Sequence, residues 1–167
     1  MSISYKEIFP KIDTLIFDVD GVLTNGFVTV FPDGRLIRQM NVKDAYALRK
    51  AIDVGYKICI ISGGRDESVR LRLQDLGIKD IYLNAQNKEI PFNELVEKYN
   101  FDLEKVLYMG DDIPDFVVME KVGMPCCPSD ACREIQQVSK YVSDKKGGEG
   151  AVRDVIEQIM RVQGKWS

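Results

Sequence analysis

The stretch LIFDVDGVLTNG, residues 15–26, is a short apolar run that leads directly into two carboxylates and two glycines. Such an uninterrupted run is typical of a strand buried on both faces of a parallel sheet. Asp18 and Asp20 follow the end of that strand. An aspartate in this place often forms only a turn or a helix cap, but two carboxylates about 4 Å apart repel by about 4 kcal/mol at an effective dielectric of 20. We therefore expect a cation beside them.

Apolar runs of this kind alternate along the chain with segments of helical period. Predicted strands cover 14–19, 56–62, 80–85, 106–112 and 124–128, and predicted helices cover 44–55, 66–77, 89–100, 113–123, 130–138 and 151–163. This alternation predicts an α/β fold of Rossmann-like type, a parallel sheet with helices on both faces. Two alternating stretches around PDG predict an added β-hairpin at about 27–40.

Length and composition limit the class of protein. The 167 residues fit a single domain, 1–167, and 45% hydrophobic with 29% charged residues is typical of an ordered globular chain. A formal charge of -3, with basic residues scattered among acids, speaks against a nucleic-acid partner. No apolar stretch is long enough to span a membrane, and the N-terminal MSISYKEIFPK lacks the apolar region of a signal peptide. We expect no membrane partner and a cytoplasmic location.

The sequence contains no histidine and four cysteines. Ser-His-Asp and Cys-His catalysis and HExxH zinc hydrolysis are therefore excluded within one chain. Any acid or base must be a carboxylate, a lysine, a tyrosine, a cysteine or a metal-bound water. The cysteines form no CxxC pair and are interpreted as reduced thiols, with Cys59 in the core.

Polar residues also follow the other predicted strands, at the edge where open α/β sheets bind ligands. We expect them to share one crevice with Asp18 and Asp20; they are Ser62, Gly63, Gly64, Asn87, Lys88, Asp111 and Asp112. Carboxylates without sulfur or imidazole ligands favour Mg²⁺. The SGG turn before a helix offers N–H groups and a hydroxyl to an anion, although a serine there is also a common cap. Lys88 is either a fixed cation beside the carboxylates or a solvated surface lysine.

The order of these residues along the chain resembles the order of motifs in the haloacid dehalogenase superfamily of phosphotransferases. Four segments carry the resemblance: DVDGVLT (18–24), ISGG (61–64), NK (87–88) and GDDIPD (110–115). The resemblance implies that Asp18 is a nucleophile that forms an aspartyl-phosphate, and that Asp20 protonates the leaving alcohol and then activates water. It implies a Mg²⁺ ion held by Asp18, the backbone carbonyl of Asp20 and Asp111. Ser62, Gly63 and Lys88 would hold the phosphoryl group. Asp112 and Asp115 are expected around these ligands or as alternates.

Further segments are similar to one branch of that superfamily, the capless tetrameric phosphatases of 3-deoxy-D-manno-octulosonate 8-phosphate, a lipopolysaccharide precursor. These segments are MNVKDAYALR, LRLQDLGI, NAQNK and KGGEGAVRDV. Only 43 residues separate Asp18 from Ser62, and 22 separate Lys88 from Asp111, so no cap domain fits. The resemblance implies a homotetramer and a sugar acid phosphate as substrate. The long apolar hairpin exposes more strand edge than a monomer tolerates, which favours pairing between subunits. The residues implied in substrate binding, besides Lys88, are Asn41, Val42, Lys43, Asp44, Ala45, Arg49 and Arg72.

Two departures from the family's sequence pattern leave the identity of the sugar substrate open. Gly64 stands where the family has an arginine, with Arg65 one position later, and Ala45 stands where the family has a glycine. A phosphatase of nine-carbon, sialic-acid-type 9-phosphates is therefore an alternative. The tail at about 161–167 would either close a neighbouring subunit's site or be a frayed terminus.

Two kinds of protein without phosphatase activity are also alternatives. A signalling receiver domain gathers aspartates, a hydroxyl and a lysine at strand ends as well. Its acceptor aspartate follows a middle strand, however, whereas the DxD pair here follows the first. A catalytically silent oligomerisation module is disfavoured because Asp18 and Asp20 are both retained.

Overall fold

The computed structural model describes residues 4–166, so residues 1–3 and 167 of the predicted domain and tail lie outside the described part. In chain order its strands are β1 (Thr14–Phe17), β2 (Thr29–Val30), β3 (Leu36–Ile37), β4 (Lys57–Ile61), β5 (Asp80–Tyr82), β6 (Val106–Met109), β7 (Met124–Cys127) and β8 (Tyr141–Val142). Six of them form one sheet in the order β5-β4-β1-β6-β7-β8, and every neighbouring pair is parallel. The predicted parallel sheet is confirmed, with β1 at its centre.

Helices cover both faces of this sheet. They are α1 (Tyr5–Ile8), α2 (Val42–Asp53), α3 (Glu67–Asp75), α4 (Glu89–Tyr99), α5 (Phe116–Met119), α6 (Arg133–Val138) and α7 (Ala151–Val162). Short 3₁₀ turns occupy Phe9–Lys11, Leu103–Lys105 and Ile113–Asp115. Buried side chains of α1, α2, α3 and α7 pack on one face, and those of α4, α5 and α6 pack on the other. This is the expected Rossmann-like arrangement.

The central strand β1 has no polar face. Leu15 and Phe17 point into the cluster that contains α2 and α7, whereas Ile16 points into the cluster that contains α4 and α5. All three side chains are fully buried, and burial of each stabilises the fold by about 1.5–3 kcal/mol. This explains why the sequence of the strand is a continuous apolar run instead of an alternating pattern.

Between β1 and β4 the described chain contains only the hairpin of β2 and β3, followed by α2. The hairpin is antiparallel, with Thr29 opposite Ile37, and lies outside the main sheet. Between α4 and β6 there is only a 3₁₀ turn. The prediction that no cap domain covers the sheet edge is therefore confirmed for the described residues.

Most helices differ by one or two residues from their predicted bounds, and α6 begins at Arg133 instead of residue 130. Two of the differences have a clear physical reason. The second helix begins at Val42, ahead of the predicted residue 44, because the Asn41 side chain accepts a hydrogen bond from the Lys43 amide at 2.8 Å and caps it. The helix predicted over 113–123 is a 3₁₀ turn followed by the short α5. It ends early because the chain must pass close to another backbone: a side chain at Gly123 would lie 2.3 Å from the carbonyl oxygen of Glu104.

The C-terminal segment packs on its own chain. Gln163 donates from Nε2 to the carbonyl oxygens of Phe9 and Ile12, at 3.0 and 2.8 Å. The ring of Trp166 lies edge-on to Tyr46 of α2, with centroids 6.1 Å apart. Among the helices of residues 4–166, none has the length and apolar character needed to cross a membrane.

Candidate active site

The carboxyl ends of β1, β4 and β6 meet at one edge of the sheet. Phe17 is in register with Ile60 and with Met109, and the Asp18 amide donates to the Met109 carbonyl at 3.1 Å. A crevice of about 320 Å³ opens at this edge. The predicted site residues that line it are Asp18, Asp20, Ser62, Gly63, Gly64, Lys88, Asp111, Asp112 and Asp115.

Lys88 is the cation at the floor of the crevice. Its Nζ lies 2.7 Å from Asp18 Oδ2 and 2.6 Å from Asp115 Oδ1, and its side chain is buried. Burial lowers the pKa of Lys88, but the charges of Asp18 and Asp115 more than offset this, so that the pKa is raised. The ammonium group therefore stays charged, as the fixed-cation interpretation of the sequence requires.

Asp115 is the most enclosed carboxylate of the site. It is fully buried, and besides Lys88 it accepts a hydrogen bond from the Tyr108 hydroxyl at 2.6 Å. It also accepts from the backbone amides of Asp111 at 3.1 Å and Asp112 at 3.4 Å. From the sequence it was expected only around the ligands or as an alternate, whereas the structure makes it the group that joins Lys88 to the GDD loop.

Asp111 reaches the crevice because Gly21 has no side chain. Gly21 has a φ of +81°, and a Cβ built there would lie 1.9 Å from Asp111 Oδ2. Only glycine can combine this left-handed conformation with such a close approach. Gly21 thus allows the DVDG and GDD motifs, which are far apart in the sequence, to pack against each other.

The carboxylates of this cluster carry more negative charge than Lys88 can neutralise. Burial, followed by the charge of Asp115, raises the pKa of Asp18 to about 7. Burial, followed by the charges of Asp18 and Asp115, raises the pKa of Asp111 to about 8. One carboxylate oxygen from each of Asp18, Asp111 and Asp115 lies within 4.8 Å of the others. A set of carboxylate oxygens with excess negative charge, from the buried Asp18 and Asp115 and the half-buried Asp111, fits Mg²⁺.

The turn after β4 is held in place by the segment after β5. Asn84 donates its amide to the Gly64 carbonyl at 2.7 Å, and Ala85 donates to the Ser62 carbonyl at 2.9 Å. The Ser62 hydroxyl accepts from the Gly64 amide at 3.2 Å and lies in the wall of the crevice. This fixed hydroxyl and the adjacent backbone can contact the oxygens of an anion.

Asp20 has a partner that the sequence did not reveal. The Arg38 guanidinium binds its carboxylate with two hydrogen bonds, from Nε to Oδ1 at 2.6 Å and from Nη2 to Oδ2 at 3.1 Å. No sequence signal separates Arg38 from Arg35, since both flank the exposed pair Leu36–Ile37. Only the folded hairpin distinguishes them.

Asn87 was also expected at the crevice but does not line it; it is exposed, and its side chain accepts from the Glu89 amide at 3.1 Å. The residues implied in substrate binding do not line this crevice in the described part of a single chain either; they are Asn41, Val42, Lys43, Asp44, Ala45, Arg49 and Arg72. Arg49 pairs with Asp53 and Arg72 with Asp75 on exposed helix faces. Asp44 is buried and accepts from the Arg153 amide at 2.7 Å. Arg65 lines a groove beside the hairpin instead of the crevice. The assignment of these residues to the substrate stays a prediction.

Comparison with known proteins places this geometry among phosphatases. A family model for haloacid dehalogenase-like hydrolases matches residues 74–156. The 3-deoxy-D-manno-octulosonate 8-phosphate phosphatase of Salmonella typhi is 39% identical over 155 residues, which cover 93% of this chain and 82% of that protein.

Solved structures of phosphatases of this kind are also similar to this chain. The structure of 3-deoxy-D-manno-octulosonate 8-phosphate phosphatase from Yersinia pestis matches with a TM-score of 0.93 and 34% identity, over 96% of this chain and 86% of that one. The phosphatase of the same kind from Moraxella catarrhalis, in complex with a magnesium ion, a phosphate ion and a KDO molecule, matches with a TM-score of 0.92 and 29% identity. That match covers 96% of this chain and 92% of the Moraxella chain.

Proposed function

Because the chain belongs to the 3-deoxy-D-manno-octulosonate 8-phosphate phosphatase family of haloacid dehalogenase-like hydrolases, we propose that it hydrolyses this sugar acid phosphate, with Mg²⁺ as cofactor. The products are the free sugar acid, a lipopolysaccharide precursor, and phosphate. The observation that carries the proposal is the convergence of Asp18, Asp111, Ser62 and Lys88 on one crevice at the carboxyl edge of the sheet.

In the first half of the reaction Asp18 is the proposed nucleophile. A carboxylate oxygen of Asp18 attacks phosphorus, and the bond from phosphorus to the sugar oxygen breaks. The leaving oxygen takes a proton from the Asp20 carboxyl group. Lys88 lies 2.7 Å from Asp18 and fixes the direction of its carboxylate while offering a positive charge to the phosphoryl oxygens.

In the second half a water molecule attacks the phosphorus of the aspartyl-phosphate and regenerates Asp18. Asp20, now ionised, takes a proton from that water, and phosphate leaves. The Ser62 hydroxyl and the Gly63 backbone hold the phosphoryl oxygens through both halves, as the wall of the crevice allows. Asp18, Asp111 and the Asp20 carbonyl would hold Mg²⁺, which lowers the repulsion between an anionic nucleophile and an anionic ester.

We also propose that the site is completed in a homotetramer. Among the residues implied in binding the sugar, Val42, Lys43, Arg49 and Arg72 are exposed and lie outside the crevice of a single described chain, which supports their action toward a neighbouring subunit. Asp44 and Ala45 are buried in their own chain. The hairpin exposes Phe27 and Val30, as an interface between subunits would require.

All four cysteines are free thiols, which supports a cytoplasmic location.

The deciding experiment compares kcat/KM for the eight-carbon 8-phosphate with that for a nine-carbon ulosonate 9-phosphate, with Mg²⁺ present. We expect the eight-carbon ester to be preferred, and Asp18→Asn to abolish turnover of both. Preference for the nine-carbon ester would overturn the assigned sugar. Turnover retained by Asp18→Asn would remove Asp18 from the role of nucleophile.

A further inference from the structure

Arg38 lies on the exposed hairpin, but its charged side chain is largely covered by the rest of the chain. It follows β3 at the base of the hairpin, next to the exposed Leu36 and Ile37. Its own side chain is only 7% exposed, whereas that of Arg35 on the same hairpin is 72% exposed. A long charged side chain is seldom buried unless it is paired, so its partners indicate what it does.

The main partner of Arg38 is the carboxylate of Asp20. Two parallel hydrogen bonds, at 2.6 and 3.1 Å, join the guanidinium fork to both carboxylate oxygens. A fork of this kind restricts the rotation of the carboxylate as well as its position. Asp20 is the partner that needs such restraint, because its side chain is 36% exposed at the crevice whereas that of Asp18 is 8% exposed.

Arg38 also reaches the helix that follows the Ser62 turn. Its Nη1 lies 3.4 Å from Asp66 Oδ2, and Asp66 caps α3 by accepting from the Ser68 amide at 3.0 Å. A side chain at Gly64 would lie 3.3 Å from Asp20 Oδ2 and 3.5 Å from Arg38 Nη2. Arg38 thus bridges the turn after β1 and the turn after β4, and Gly64 leaves room for the pair.

We propose that Arg38 is a positioning residue that aims the Asp20 carboxyl group at the leaving oxygen of the phosphate ester. The proposal rests on the proposed function, in which Asp20 transfers that proton. A general acid contributes about 100- to 10,000-fold to a rate when it is aligned, and a displacement of about 1 Å can cost about 100-fold. The hairpin is then part of the catalytic architecture, since it carries the residue that aligns Asp20.

The test uses the leaving group of the ester. An alkyl phosphate needs a proton from Asp20 when its poor leaving group departs, whereas 4-nitrophenyl phosphate releases a stable anion. Because kcat/KM reports only the steps through departure of the leaving group, we expect Arg38→Ala to lower kcat/KM about 100-fold for the alkyl ester and about threefold or less for the aryl ester. Arg38→Lys, which keeps the charge but loses the fork, should give an intermediate ratio.

Arg35→Ala is the matched control, because Arg35 lies on the same hairpin and pairs only with Asp33 among the ion pairs of the described residues. It should leave both values of kcat/KM unchanged. If Arg38→Ala lowers kcat/KM equally for the two esters, Arg38 has only a structural role. If Arg38→Ala raises kcat/KM, Arg38 holds Asp20 in an unproductive position. Either result overturns the inference.

If Arg38→Ala does not fold, Arg38→Lys provides the test. A ratio of kcat/KM for the two esters that is the same in Arg38→Lys as in the wild type also overturns the inference. Both esters are simple phosphates, so the ratio does not depend on which sugar is preferred. The wild-type comparison of sugar acid phosphates tests the proposed function separately.

Discussion

At the scale of single residues, Asp115 shows how one buried carboxylate organises a loop. Its Oδ1 accepts from Lys88 and Tyr108, and its Oδ2 accepts from two backbone amides. A neutral amide in its place would turn an N–H group toward donors that need an acceptor. The group therefore supports the site whether or not it touches the metal.

We predict that Asp115→Asn lowers the free energy of unfolding by about 3 kcal/mol, because Lys88 would lose one partner of a buried ion pair. Urea denaturation followed by circular dichroism measures this. Asp112→Asn is the control: Asp112 is exposed and caps the 3₁₀ turn, and asparagine caps about as well as aspartate. Equal stability of the two variants would contradict the structural role of Asp115.

Asp44 is a second buried carboxylate, away from the crevice. Its Oδ1 accepts from the Arg153 amide, its Oδ2 has no hydrogen-bond partner within the described residues, and burial raises its pKa to about 6. A raised pKa means that the folded protein favours the protonated form. The stabilising contribution of Asp44 is therefore complete below about pH 4 and is lost as the pH rises through about 6.

We predict that Asp44→Asn, relative to wild type, gains about 3 kcal/mol of unfolding free energy between pH 4 and pH 8, because a carboxyl pKa that folding raises from 3.8 to about 6 corresponds to about that energy. Urea denaturation at a series of pH values gives the difference between the two proteins. Asp75→Asn controls for the loss of a negative charge, because Asp75 lies on the exposed surface. A difference in unfolding free energy between Asp44→Asn and wild type that does not change with pH would refute the prediction.

Sequence alone located the residues of the site that follow strands. Asp18, Ser62, Lys88 and Asp111 were found because the carboxyl ends of parallel strands share one edge. Arg38 was not found, because its burial depends on how the hairpin folds back toward β1. Asp115 was underrated, because its ion-pair partner Lys88 lies 27 residues away in the sequence and meets it only in the folded chain.

At the scale of elements, the turn after β1 is shaped by glycines on both sides. Gly21 lets Asp111 approach, and a side chain at Gly147 would lie 1.9 Å from the Gly21 carbonyl oxygen. Gly148 donates its amide to the Val22 carbonyl at 3.0 Å. The KGGEG segment thus packs closely against the turn that carries Asp18 and Asp20.

We predict that Gly21→Ala raises the half-saturating Mg²⁺ concentration for turnover about 10- to 100-fold, a typical effect of disturbing what supports a metal ligand. Gly34→Ala is the control, because Gly34 has a similar φ of +85° with nothing within 4 Å of a Cβ. Both variants incur the same backbone strain, but only the first displaces Asp111. Titration of activity with Mg²⁺ distinguishes them, and matching responses would contradict the role of Gly21.

The elements themselves were predictable where burial alone decides them, as in β1, β4 and β6, whose apolar runs match the observed strands. The ends of the elements were less predictable. The start of α2 depends on the Asn41 cap, and the end of α5 depends on the close passage of Gly123 past Glu104. Such local hydrogen bonds and backbone contacts leave little trace in hydrophobic periodicity.

At the scale of the whole molecule, the hairpin exposes an apolar surface that an isolated chain would leave in water. Phe27 is 78% exposed and Val30 68% exposed. We predict that Val30→Glu converts the proposed tetramer into smaller species, because a charge would be buried without a partner at the interface. Multi-angle light scattering measures the mass.

Val54→Glu is the control for that experiment, because Val54 is also exposed but lies at the end of α2, outside the hairpin. It should leave the mass unchanged. A wild-type protein that is a stable and active monomer would contradict the proposed assembly, as would a Val30→Glu variant of unchanged mass.

Trp166 gives the molecule a built-in optical reporter. It is the single tryptophan of the sequence, and the cationic groups of Lys50, Arg153 and Arg161 lie 5.2 to 6.0 Å from its ring centroid. Fluorescence excited beyond the tyrosine band would therefore arise at the C-terminal segment alone. A change in its emission when an ester is added would record motion of that segment in real time, without any attached dye.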